Sequence, residues 1–195
     1  GSKYGKTAGG ETIWLSPNKM SPYRFYQAWI GVDDAEVRKL LLQLTFLSPD
    51  EIEALVAEHE KDPQRRLGQR TLASELTEIV HGQAAATSAI EASAVLFDPD
   101  VDITMVSESA LEFINGEVPS TAIQELGGGI VDLLVESKLC QSRKDAKRAI
   151  TDGGIYLNGE RVMDADFLPS KGNLLYEQYL LLRRGKKQWH LLTVG

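Results

Sequence analysis

The sequence holds one cysteine, Cys140, and only three histidines, at positions 59, 81 and 190. A lone thiol excludes an internal disulfide framework and a cysteine-rich zinc site. It suits a reducing compartment, and a cytoplasmic location is expected. The three imidazoles share no spacing that would gather them on a metal. No apolar run approaches the roughly 20 residues a membrane helix requires, so no membrane partnership is expected. The chain opens without an initiator Met or a secretory signal, and whether Gly1-Ser2 are native or added, it is expected to start within a longer protein. The remainder is ordinary. Of 195 residues, 43% are hydrophobic and 25% charged, enough for a packed core and too balanced for wholesale disorder.

The formal net charge is -7, which at face value argues against a nucleic-acid partner. Its distribution points the other way. Residues 98–120 carry six acidic groups and no basic one, whereas residues 121–195 carry 11 basic and nine acidic groups. The last third can therefore present a basic face.

Residues 1–10, rich in Gly, Lys and Thr, read as a loop. From Ser21 to Phe97 the pattern is helical. Ser21-Pro22 is a capped helix start, and Val37, Leu40, Leu41 and Leu44 follow the spacing of one buried face. Ser48-Pro49-Asp50-Glu51 is a capping box. Asp62-Pro63 is expected to open a further helix carrying Leu72, Leu76, Ile79 and Val80, which stops near Gly82. The Ala-rich run from Gln83 to Phe97 continues the helical pattern. Residues 98–122 read as an acidic connector, partly ordered, with a short helix over 107–114. After Gly127-Gly128-Gly129 come two helices, around Leu133 and after Ser142. A hairpin at Asn158-Gly159 and strands at 176–182 and 189–194 follow.

Arg143, Lys144, Lys147 and Arg148 share one helix, and i,i+4 spacing gathers them into a basic stripe. Like charges so placed repel, so a polyanion is the simple candidate that favours the arrangement. The Ser142 helix start adds backbone N–H groups suited to phosphate. Arg183, Arg184, Lys186 and Lys187 form a second basic cluster between the last two strands. The plainer alternative is a solvated helix face beside an edge strand protected by Lys and Arg. Elsewhere, His59 lies on an apolar face and reads as a packed histidine. His81 ends a helix, where positive charge is favourable. Asp98, Asp100 and Asp102 alternate as in some calcium loops but lack the Gly and distal Glu. Arg65, Arg66 and Arg70 suit either RNA or surface ion pairs.

The order Ser142-Arg143-Lys144-Asp145-Ala146-Lys147-Arg148, then Gly153-Gly154 and Asn158-Gly159, resembles the S-four type RNA-binding module. That resemblance adds Ser142 and Asn158 to the basic residues as an RNA-binding surface. Lys3-Tyr4-Gly5-Lys6-Thr7 resembles the second signature loop of class I aminoacyl-tRNA synthetases, with Tyr4 in place of the usual Phe. Mobile lysines in such a loop stabilise the charge that builds on ATP phosphates during amino-acid activation. Ile13-Trp14-Leu15, Ser21 to Gln27, Asp33-Asp34, Gln69 to Ala73, Val80-His81-Gly82 and Val118-Pro119-Ser120 resemble, in order, the anticodon-binding region and connector of bacterial-type tyrosyl-tRNA synthetases. Lys19-Met20-Ser21 imitates the general class I loop, but Pro22 follows where that loop has Lys.

The resemblance implies a multidomain chain. An all-α anticodon-binding domain (16–97) is followed by a small α+β RNA-binding domain (123–195). A signature-loop remnant (1–15) precedes them and the acidic connector (98–122) joins them. It implies the tRNA-binding part of an ATP-dependent ligase that attaches tyrosine to its tRNA. Lys3, Lys6 and Thr7 would belong to an incomplete catalytic site, with Lys6 on the ATP phosphates. The full enzyme would be a homodimer, whereas this chain is expected to be monomeric, inactive alone and free of cofactor. A stand-alone RNA-binding or regulatory protein sharing the module is the alternative.

Overall fold

The computed structural model describes residues 10–195, which fall into two compact units, one ending at Ser93 and the other running from Ala94 to Gly195. Lys3, Lys6 and Thr7 lie outside the described residues. Eight α-helices and one five-stranded mixed sheet are present among the described residues. None of the helices is long and apolar enough to cross a membrane.

The first unit is helical. Helix α1 (Pro22–Ile30) starts where Ser21 Oγ accepts from Arg24 N–H at 3.2 Å. Ser21 thus acts as a helix cap. Lys19, just before it, sits 3.9 Å from the centre of the Trp14 ring. Helix α2 (Asp34–Leu44) buries Val37, Leu40 and Leu41. Leu44 is expected on the same face but lies at the helix end, exposed. Helix α3 (Pro49–His59) opens with the full capping box, Ser48 N–H donating to Glu51 Oε2 at 2.8 Å.

The start of the next helix differs from expectation. Asp62-Pro63 opens a 3-10 turn, and Arg66 then takes a left-handed φ of 53°, a conformation an α-helix does not continue through. Arg66 is held there by donating to Ile30 O at 3.0 Å. Helix α4 (Leu67–His81) therefore begins at Leu67, with Arg66 as its cap and Arg65 outside it. It buries Leu72, Ala73 and Leu76, while Ile79, expected inside, is exposed. Helix α5 spans Gln83–Phe97. Each fully buried large apolar side chain in this core contributes about 1.5–3 kcal/mol.

Two histidines complete this unit. His59 is buried and its Nε2 lies 3.2 Å from Asp34 Oδ1, which also accepts from the buried Gln69 amide. It is a packed histidine holding three helices together. His81 departs from expectation. Its ring stands edge-on to Phe25 at 5.0 Å between centroids, and burial pushes its pKa down. Desolvation of the charged form outweighs the favourable helix terminus.

The second unit begins earlier than the charge pattern suggests. The acidic stretch 98–122 is not a loose tether. Ile103 and Val106 are buried, and helix α6 (Glu108–Asn115), capped by Ser107, turns Ala110, Leu111 and Ile114 inward. Asp98 and Asp102 accept local N–H groups, from Asp100 and Thr104. Strand β1 (Ser120–Ile123) joins the sheet. The acids coat an ordered segment because its apolar residues keep helical spacing.

Helices α7 (Ile130–Glu136) and α8 (Arg143–Thr151) precede strands β2 (Ile155–Leu157), β3 (Glu160–Arg161), β4 (Tyr179–Arg184) and β5 (Gln188–Val194). The sheet order is β1-β5-β4-β2-β3, with only β1–β5 parallel. Asn158 and Gly159, both at positive φ, make the tight turn between β2 and β3, as expected of that dipeptide. Side chains alternate across the sheet. Leu180, Leu182 and Leu192 pack with Ile130, Leu134 and Ile150 of the two helices on one face. Leu181, Leu191, Arg183 and Trp189 belong to the other. His190 reaches Thr121 Oγ1 at 2.9 Å, tying β5 to β1.

Candidate nucleic-acid interface

Helix α8 starts where Ser142 Oγ accepts from Asp145 N–H at 3.2 Å. Asp145 accepts from Gln141 N–H at 3.1 Å, closing the turn before the helix. Ala146, Ala149 and Ile150 are buried, so the positions between them face outward. Arg143, Lys144, Lys147 and Arg148 are all exposed. Arg143 pairs with Asp132 of α7 and Arg148 lies 3.5 Å from Asp145, yet their side chains remain 68% and 74% exposed. Among the described residues no ion pair engages Lys144 or Lys147. The sequence-predicted stripe is therefore a solvated row of cations.

The second cluster separates into different roles. Lys186 and Lys187 are exposed at the β4–β5 turn. Arg184 points the opposite way from Arg183. Its Nη1 and Nη2 grip Asp145 at 2.8 and 2.9 Å, and Nη1 also donates to Leu139 O at 2.7 Å. That fork holds the Asp145 carboxyl below the usual range, Arg184 being the largest cause. Arg184 is thus a tie between β4 and α8. Asn158 has a similar part: its Nδ2 donates to Asn173 O at 2.6 Å and its Oδ1 accepts from Leu181 N–H at 2.8 Å. Both of its amide ends are spent inside the fold.

Three residues that sequence reasoning did not single out join Arg183. Register places Arg161 opposite Tyr156, Tyr156 opposite Arg183, and Arg183 opposite Trp189. The Arg183 guanidinium carbon lies 4.0 Å from the Tyr156 ring centre and 5.1 Å from that of Trp189. Arg161 lies 5.5 Å from the same tyrosine ring and donates to its hydroxyl at 3.0 Å. That hydrogen bond, with both nearby cations, pulls the phenol pKa down. No motif announces this row, because it exists only once strands distant in sequence are paired.

A basic helix beside a basic hairpin is an arrangement that holds RNA phosphates. Residues 1–98 match the model for tRNA synthetases class I (W and Y), and the chain belongs to that family. Residues 110–192 match the tyrosine–tRNA ligase SYY-like C-terminal domain, so within the family the chain corresponds to the C-terminal region of tyrosyl-tRNA synthetase. Tyrosine–tRNA ligase 1 of Bacillus cereus is 41% identical over 98% of this chain and 45% of its own length. Tyrosine–tRNA ligase of Streptomyces griseus is 42% identical over 100% of this chain and 45% of its own length. The chain thus spans about half the length of these curated relatives. A solution structure of a tyrosyl-tRNA synthetase C-terminal domain is 29% identical, covering 49% of this chain and 97% of that one, with a TM-score of 0.41.

Proposed function

We propose that this chain is the tRNA-binding part of a tyrosine–tRNA ligase, a cytoplasmic, ATP-dependent enzyme that joins tyrosine to its tRNA. The observation that carries the reading is the α8 stripe, where Lys144 and Lys147 stand solvated between Arg143 and Arg148. Together with Lys186 and Lys187 they would hold RNA phosphates, while Ser142, Asp145 and Arg184 keep α8 in place. Asn158 supports the same surface from within. The helical residues 16–97 would serve as an anticodon-binding domain, and the RNA-binding domain would take in α6 and β1 as well as residues 123–195. In the whole enzyme Lys3, Lys6 and Thr7 would belong to the catalytic signature loop, with Lys6 on the ATP phosphates. The domains described here would orient the tRNA toward the tyrosine-activating site. That enzyme would be a homodimer; this chain alone would be a monomer.

The test is binding of the 195-residue chain to transcribed tyrosine tRNA and to a tRNA lacking the long variable arm, across a salt series. Preference for the tyrosine tRNA, weakened by Arg143→Ala with Arg148→Ala, supports the reading. Equal, wholly salt-driven binding of both overturns it. The sequence contains no His-Ile-Gly-His-type motif, so the chain alone should not support tyrosine-dependent pyrophosphate exchange. A free-standing RNA-binding protein would have no use for the match over residues 1–98.

A further inference from the structure

We propose that the row Arg161–Tyr156–Arg183–Trp189, on the sheet face opposite α7 and α8, is a stacking platform for an unpaired RNA base. This rests on the RNA-binding reading above and names the kind of RNA the sheet takes.

Four adjacent strands each contribute one residue to the row. Neighbouring strands are about 4.8 Å apart, so the row runs straight across the sheet. Every member is a ring or a planar guanidinium. Two cations converge on a single tyrosine ring, at 4.0 and 5.5 Å from its centre. Among the described residues no carboxylate pairs with either arginine. Glu160, the nearest acid in sequence, pairs opposite Leu157 and so belongs on the other face. Like charges brought together without an acid favour an anion nearby. Arg183 Nε and Trp189 Nε1 are also shielded from solvent and bonded to nothing. Buried donors left without acceptors are costly.

The shape of these groups decides the ligand. The α8 lysines are point charges, which suit phosphates of any RNA. Aromatic rings and guanidinium planes suit the flat face of a nucleobase. In a duplex those faces are covered by neighbouring pairs, so the platform selects bases that are unstacked. Lys186 and Lys187 at the adjoining turn are placed for the attached phosphates.

The probes are an RNA hairpin with an open adenosine loop and the same stem as a blunt duplex, titrated into the 195-residue chain at several salt concentrations. The wild-type chain is expected to prefer the open loop. Tyr156→Leu and Trp189→Leu should each cut that preference about ten-fold, with the salt slope retained because no cation is removed. Tyr156→Phe, which keeps the ring, should keep the preference. Arg183→Lys, which keeps charge but loses the plane, should lower it and serves if the leucine variants unfold. An unchanged preference in folded Tyr156→Leu, Trp189→Leu or Arg183→Lys overturns the platform. So does a Tyr156→Phe loss as large as that of Tyr156→Leu. If binding depends on Lys144 and Lys147 but not on these planar groups, the platform alone fails. If the wild-type chain binds neither probe, the RNA-binding reading fails with it.

Discussion

Arg184 grips Asp145 with both guanidinium nitrogens, at 2.8 and 2.9 Å, and so ties the end of β4 to the first turn of α8. Bidentate geometry of this kind fixes orientation as well as distance. The basic stripe therefore projects from a helix anchored by a charge pair.

Arg184→Gln should lower the melting temperature by on the order of 5 °C at neutral pH. The pH dependence has a definite sign. Asp145 is held below its ordinary value, chiefly by Arg184. The pair's contribution is whole above about pH 4 and is lost as pH falls through the folded-state value. Melting curves of wild type and variant should therefore converge in acid and separate at neutrality. A constant gap would show that Arg184 acts through packing alone.

Lys144→Ala with Lys147→Ala should weaken tRNA binding and flatten its logarithmic salt dependence by about 1.5 units, given 0.7 to 0.9 per phosphate. Circular dichroism should be unaltered, since both side chains are exposed. A weakened complex with an unchanged slope would mean that these lysines touch no phosphate.

His81 and His190 both sit where burial disfavours the imidazolium. In a ring-proton titration both should protonate below about pH 6.5. The stability they confer is present above that value and declines as pH falls toward the folded-state pKa, because the unfolded chain takes up the proton first. Thr121, bonded to His190, should respond in the same titration.

Gly68→Ala sets helix propensity against packing. Ala favours a helix over Gly by about 1 kcal/mol. A Cβ at position 68 would stand 2.7 Å from Val37 Cγ1, and Val37 is buried and stiff at χ1. Overpacking of this sort costs about 1–3 kcal/mol, so the substitution should destabilise the first unit in urea. A more stable variant would show that α2 and α4 separate freely.

The helices were legible where they carry their own punctuation. Ser21, Ser48, Ser107 and Ser142 each cap the helix that their sequence announces, because a cap is a local bond. Asn158-Gly159 was legible for the same reason. Signals that depend on distant partners were not. Asp62-Pro63 looks like a helix start, yet Arg66 is drawn aside by Ile30. Arg184 reads as one more surface cation until the sheet aims it at Asp145. Tyr156, Arg161 and Trp189 carry no pattern of their own, and only the register of four strands makes them a row.

Strand β5 lies between β1 and β4, so it is an interior strand although it comes last among the strands in sequence. Its bond to β1, through Thr121 and His190, joins positions 69 residues apart. During vectorial synthesis β1 emerges well before its ladder partner exists. It must wait through the making of α7, α8 and three other strands. Sheet closure is thus the late, non-local step of this unit, and such steps are slow. Loss of β5 would detach β1, which pairs with no other strand, and leave β4 as an exposed edge open to association.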